Sequence, residues 1–153
     1  MWGAGNAAVT RYYTMSGAGL FGKGHGDTGT WSLAGGLDLA LHLPNESGSF
    51  FCGVNLPHGA IVTAFRVGHQ LGNAGDSCAV YLYQKPRLDN GINIMAQCDA
   101  STSKVEVSDT SISSATINND TGSYLIRFQK AGTDGDYDCW DIQIDYTVTE
   151  PYP

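Results

Sequence analysis

Asp141-Ile142-Gln143-Ile144-Asp145-Tyr146-Thr147-Val148 sets apolar and polar side chains in strict alternation. Successive side chains of a β-strand point to opposite faces, so the segment predicts a strand with one apolar and one acidic-polar face. The same period runs through Leu37–Leu43, Ile61–Val67, Val80–Tyr83, Ile92–Met95 and Tyr124–Phe128. In Ile61–Val67 it puts Ile61, Thr63, Phe65 and Val67 on one face, and in Ile92–Met95 it pairs Ile92 with Ile94. Val105–Val107 and Ile112–Ile117 read as two short edge strands. Between the runs lie Pro44-Asn45-Glu46-Ser47-Gly48, Gly72-Asn73-Ala74-Gly75-Asp76, Asp89-Asn90-Gly91, Asn118-Asn119-Asp120-Thr121-Gly122 and Gly132-Thr133-Asp134-Gly135-Asp136. These clusters are rich in Gly and Asn, the residues that tolerate the positive φ of tight turns. No segment keeps a helical period for three turns. The pattern predicts an all-β chain, an antiparallel β-sandwich of jelly-roll-like form.

Composition agrees. Charged residues are 15% of the chain, against roughly 25% in a typical soluble domain, and 20 of the 153 residues are glycine. Short strands joined by many turns have that profile. The length allows one domain with a sizeable core. Residues 1–153 therefore read as a single sandwich with a Gly-rich arm over about 1–36 and a short Pro-containing tail at 150–153. Net charge is −7, and the eight Lys and Arg are scattered, so nucleic acid and anionic membrane surfaces are poor partners. No apolar run approaches the roughly 18–20 residues that cross a bilayer. Met1-Trp2-Gly3-Ala4 has neither the basic start nor the apolar stretch of a signal peptide.

Cys52, Cys78, Cys98 and Cys139 form no Cys-x-x-Cys pair, so their spacing is not that of zinc. An even count in a low-charge, Gly-rich chain fits an extracellular or cell-surface setting and two disulfides. Positions that pair across a hairpin have residue numbers of constant sum. A turn centred on Leu88 sets Cys78 opposite Cys98, which leaves Cys52 for Cys139. Buried free thiols are the alternative.

Asp134, Asp136 and Asp138 stand at positions 1, 3 and 5 of a calcium-loop pattern, but Cys139 occupies the sixth position, where an EF-hand needs Gly. The acidic turn is read first as solvated and second as a local calcium site; no other cofactor is expected. His25, His42, His58 and His69 lack paired metal spacing, and there is no Gly-x-Ser-x-Gly elbow, so no enzyme is expected. Tyr81, Tyr83, Tyr124, Phe128 and Tyr146 fit core or sheet-face packing. Trp31 and Trp140 are the candidate ligand-binding aromatics, by ring stacking on sugars. Aromatics also bury subunit interfaces, and residue type alone does not separate the two uses.

Three segments, Val54–Val67 with its Leu56-Pro57-His58-Gly59-Ala60 turn, Ile117–Phe128 and Asp141–Val148, resemble in their order a loosely defined family of bacterial secreted or surface β-sandwich modules, some attached to tail-fibre-like proteins. The resemblance spans roughly residues 11–149. Its motifs are structural, and it implies a sandwich without catalytic residues. The leading expectation is a non-enzymatic structural or adhesive module of the cell surface, a homo-oligomer or fibre subunit. The second is a carbohydrate-binding module of a secreted protein.

Overall fold

Tyr124, Ile126 and Phe128 all point inward and are buried, as their alternation predicts. They belong to a long strand near the middle of the molecule. The computed structural model describes residues 7–16, 21–23, 32–33, 41–43 and 47–149. Among these are β1 (Ala8–Ser16), β2 (Phe21–Lys23), β3 (Ser32–Leu33), β4 (Leu41–Leu43), β5 (Gly48–Val54), β6 (Ile61–Leu71), β7 (Ser77–Pro86), β8 (Asn93–Asp99), β9 (Val105–Asp109), β10 (Gly122–Ala131) and β11 (Tyr137–Thr149). No helix occurs among the described residues, and so none long and apolar enough to cross a membrane.

Two sheets form. One has the order β3-β4-β11-β6-β9, with β1 also on β11; the other has the order β2-β5-β10-β7-β8. Every strand pairing is antiparallel. From β4 onward the chain crosses from sheet to sheet with almost every strand, and only β7 and β8 follow one another within a sheet. That wiring makes the antiparallel sandwich a jelly roll. Between the sheets, Phe50 and Phe128 lie 5.8 Å apart by ring centroids, and Phe128 stacks on Tyr137 at 4.5 Å. Burying one large apolar side chain contributes about 1.5–3 kcal/mol, and Leu41, Leu43, Phe65, Leu82, Ile126, Ile142 and Ile144 complete the layer.

The turn before β6 follows its residues closely. Ala60 N–H donates to the Pro57 carbonyl at 3.1 Å, and Gly59 takes φ 79°. This is the positive-φ third position of a type II turn, which glycine occupies without strain.

Strict alternation fails at three bulges. In β6 the pairing moves from Ala64–Asp145 to Val62–Tyr146, leaving Thr63 over. Ala64 and Phe65 are therefore both buried, and Ile61 is 47% exposed. In β8 the pairing steps from Leu82–Ala96 to Tyr83–Ile94 and leaves Met95 over; Met95 and Ala96 are buried while Ile94 faces out. In β11 the odd residue is Trp140. One unpaired residue turns the side chains beyond it to the other face. The run expected as a strand over Ile112–Ile117 is a turn with a single bridge, Ile61–Thr116. Within the stretch expected as a Gly-rich arm, Ala8–Ser16 is a strand that pairs with nine residues of β11. Leu37–Ala40 and the tail at 150–153 lie outside the described residues.

All four cysteines are free, which corrects both expected disulfides. The β7–β8 turn is not centred on Leu88, and the extra residue at Met95 shifts the register once more, so Cys98 faces Val80, while the Cys78 carbonyl accepts from Ala100 N–H. Cys52 pairs with Ile126, four residues along β10 from Lys130, the partner of Cys78. Four residues of strand span about 13 Å. Cys139 lies at the Cys78 end, where both thiols sit against the Tyr137 hydroxyl. Burial pushes the Cys98 and Cys139 thiols up to about 12, so they behave as packing groups, not nucleophiles.

Candidate functional site: the outer face of the five-stranded sheet

Because β10 turns Tyr124, Ile126 and Phe128 inward, it turns Ser123, Leu125, Arg127 and Gln129 outward. The registers of its neighbours then dictate what stands beside them. Arg127 pairs with Phe51 on one side and Tyr81 on the other, and Tyr81 pairs with Gln97. The next row toward one end is Gly53, Leu125, Tyr83 and Ile94; toward the other end it is Ser49, Gln129, Ala79 and Asp99. Four strands thus bring three aromatic rings, two glutamines and a guanidinium onto one face.

The geometry of this face is specific. Tyr81 and Tyr83 stack with centroids 5.3 Å apart and planes inclined by 21°. The Arg127 guanidinium lies 5.5 Å from the Phe51 ring centroid, a cation–π contact. One Arg127 nitrogen donates to Ser49 Oγ at 3.3 Å, while Nε is buried with no hydrogen-bond partner among the described residues. Burial, with Tyr83 and Asp99 beside it, pushes the Tyr81 phenol up, so it stays a neutral donor. Gln97 Nε2 donates to Asp99 Oδ1 at 2.7 Å, which fixes its amide at the rim. A depression of about 310 Å³ opens beside Tyr81, Asp99 and Gln129. A cleft of about 770 Å³ lies at the other end, between the ends of β5 and β7 and the start of β10.

The other sheet's outer face is built differently. Arg66 Nε donates to Asp145 at 3.0 Å and Arg66 also reaches Glu106 at 3.4 Å; Gln143 Nε2 donates to Asp145 at 2.6 Å. His42 and Asp138 are joined at 2.7 Å. Trp140, a candidate from sequence, stands here, with the Lys104 ammonium 4.1 Å above its ring. Trp31, the other candidate, lies outside the described residues.

Asp134, Asp136 and Asp138 do not converge. Asp138 holds His42, and no group of three or more metal-ligating side chains is assembled among the described residues. The acidic loop closes around an ammonium instead. Lys130 Nζ donates to Asp76 at 2.8 Å and to the Gly132 carbonyl at 2.8 Å, and Asp76 also accepts from the backbone N–H groups of Asp134 and Gly135. The Lys130 hydrogen bond, aided by the two backbone N–H groups, holds the Asp76 carboxyl below its usual range. Gly132 has φ 95°, and a Cβ there would stand 2.1 Å from Asp76 Oδ1, so only glycine fits.

His69 is fully buried, with Nδ1 3.0 Å from the Tyr137 hydroxyl. Nε2 has the Asp99 backbone beside it but no hydrogen bond of acceptable geometry. Desolvation lowers the imidazole to about 4, so it is neutral at ordinary pH.

No family model and no curated protein matches the sequence. Solved structures do. The CBM36-1 domain of a multidomain xylanase from the hindgut metagenome of Trinervitermes trinervoides aligns with a TM-score of 0.57 at 12% identity, over 88% of this chain and 96% of that one. The fold is a β-sandwich shared with carbohydrate-binding modules. A second, the carbohydrate-binding module CBM36 in complex with calcium and xylotriose, aligns with a TM-score of 0.52 at 13% identity, over 86% and 98%. A third is a family two carbohydrate esterase from Cellvibrio japonicus, with a TM-score of 0.51 at 9% identity; the match covers 94% of this chain and 37% of the esterase. At such identities the likeness is one of fold.

Sequence reasoning placed Tyr81 and Tyr83 on a strand but not Phe51, Arg127, Gln97 and Gln129 beside them. The available signal was in Ser123–Phe128: an apolar period on one face with Arg127 set alone on the other.

Proposed function

We propose that this chain is a carbohydrate-binding module of a secreted protein, and that glycan lies across the outer face of the five-stranded sheet. The observation that carries the reading is the row Phe51–Arg127–Tyr81–Gln97, in which the half-buried Tyr81 is backed by the buried Tyr83. A pyranose presents C–H groups on its faces and hydroxyls around its rim. Aromatic rings take the faces, and amides, carboxylates and guanidinium groups take the hydroxyls. A rigid sheet holds both kinds of group at fixed spacing, which lowers the entropy lost on binding. The likeness to carbohydrate-binding modules favours this reading over a fibre subunit.

The role is binding alone. Glycoside cleavage uses a pair of carboxylates, whereas the three rows contribute one, Asp99, which accepts from Gln97. Titration calorimetry against xylohexaose, cellohexaose and laminarihexaose tests the proposal. Binding to at least one is expected, with at least about a tenfold loss on Tyr81→Ala, equivalent to about 1.4 kcal/mol. Unchanged affinity in a folded Tyr81→Ala variant contradicts it.

A further inference from the structure

We infer that the cleft at the end of this face, lined by Lys85, Arg87, Asn55 and Asn119, binds an anionic sugar unit, a uronic acid carboxylate or a sulfate ester, of the glycan lying on the aromatic row. The inference rests on the proposed glycan-binding role and names the class of glycan.

Position comes first. The outward row after Gly53–Leu125–Tyr83 contains Ser123 paired with Lys85, and Gly53, Ser123 and Lys85 all line the 770 Å³ cleft. The cleft continues the platform. It begins four residues of β10 beyond Arg127, about 13 Å along the strand.

Charge comes second. The chain carries a net charge of −7 and only eight Lys and Arg. Of these, Arg66 is tied to Asp145 and Glu106, Lys130 is buried on Asp76, and Lys104 covers Trp140. Lys85 and Arg87 make no ion pair among the described residues, and no carboxylate lines the cleft. Lys85 Nζ donates to the carbonyls of Pro86 and Asp89, which orient the ammonium without neutralising it. Arg87 also lines a neighbouring depression with Asp89 and Asp120, but no ion pair joins it to either among the described residues. In an acidic chain, a concave site lined by two cations and no carboxylate favours an anion. A planar guanidinium beside an ammonium suits a carboxylate or a sulfate, each of which offers several acceptor oxygens.

The cleft is also rigid. Arg87 N–H donates to the Thr121 carbonyl at 3.0 Å, Asn119 Nδ2 donates to the Leu56 carbonyl at 3.0 Å, and Asn118 N–H donates to the Tyr124 hydroxyl at 2.7 Å. The three loops that form its walls are thereby joined to one another. The outer carboxamide edges and Ser123 supply neutral partners for sugar hydroxyls.

The test uses two matched pairs of probes: hexagalacturonate with its methyl ester, and a sulfated carrageenan hexasaccharide with its desulfated form. Affinities are measured for the unmodified protein, for Lys85→Gln/Arg87→Gln and for Tyr81→Ala, each checked for native near-UV circular dichroism. The expected result is at least a tenfold preference for the charged member of one pair. That preference should vanish in Lys85→Gln/Arg87→Gln and weaken as salt rises from about 0.05 to about 0.5 M. Which pair shows it separates uronate from sulfate. Equal affinity within both pairs, or a preference that survives the double substitution, overturns the anionic assignment. In that case, neutral oligosaccharides that still bind and still depend on Tyr81 leave the glycan-binding role standing. Charge-dependent binding that ignores Tyr81→Ala keeps the cleft and removes the platform. Silence from all four probes and from the neutral hexaoses overturns both.

Discussion

The two outer faces of this sandwich are made from the same kinds of residue and arranged to opposite effect. On the six-stranded sheet, charges satisfy one another: Arg66 holds Asp145 and Glu106, and His42 holds Asp138. Its tryptophan, Trp140, is covered by Lys104. On the five-stranded sheet, Arg127 lies against Phe51, but Lys85 and Arg87 are unpaired by any carboxylate among the described residues, and the half-buried Tyr81 stacks on the buried Tyr83. A surface whose polar groups already have partners gains little from a ligand. A surface with a partly open ring and cations that lack a carboxylate gains from one that supplies both an apolar face and acceptors.

The largest expected effect concerns what the faces share, the core beneath them. Neutral His69 folds with a pKa of about 4 against 6.5 when exposed. The unfolded chain therefore binds a proton that the folded chain refuses between those values. Stability is full above about pH 6.5 and falls as pH drops toward 4, by on the order of 3 kcal/mol. Below that, protonation of Asp76, whose folded pKa is depressed, adds a second loss. Urea denaturation at pH 7 and pH 4.5 should show the decline, and His69→Gln should flatten it. A profile already flat in the unmodified protein contradicts the burial of a neutral imidazole. Glycan binding, measured while the protein remains folded, should not follow this titration, because the His69 ring is fully buried beneath the faces.

The next effect separates the faces directly. Phe51→Ala should weaken oligosaccharide binding by about tenfold, since it removes one stacking ring and the seat of Arg127. Trp140→Ala, a larger truncation on the opposite sheet, should leave affinity within about twofold. The reverse order would assign the ligand to the six-stranded face. Calorimetry on the two variants decides it.

Part of this was legible in the sequence and part was not. The alternation of Tyr124–Phe128 and Ile142–Ile144 and the turn at Pro57–Ala60 appear in the structure as read, because each depends on local stereochemistry. The faces of Ile61 and Ile94 were misread because a bulge adds one residue and reverses the side chains beyond it, and nothing in a period of two announces it. The β7–β8 turn is not centred on Leu88 and the extra residue at Met95 adds a further step, so together they moved Cys98 out of register with Cys78. The site was less legible still. Phe51, Tyr81, Gln97 and Arg127 come from four strands, and only the β5-β10-β7-β8 order makes them neighbours. Trp140 drew notice by residue type, yet its strand, β11, belongs to the opposite sheet. The acidic triplet at Asp134–Asp138 resembles a cation loop in spacing, but the carboxylate that holds Lys130 is Asp76, from another loop, and the triplet segment contributes backbone N–H groups to it.

The central claim is that ligand meets the five-stranded face. Amide chemical-shift mapping during titration with the tightest-binding oligosaccharide of the panels above tests it most directly. The expected result is a contiguous set of shifts at Phe51, Tyr81, Tyr83, Gln97 and Arg127, extending to Lys85 and Arg87 when the probe is anionic, with Tyr12, Arg66 and Trp140 unmoved. Shifts centred on Tyr12, Arg66 and Trp140 would contradict it.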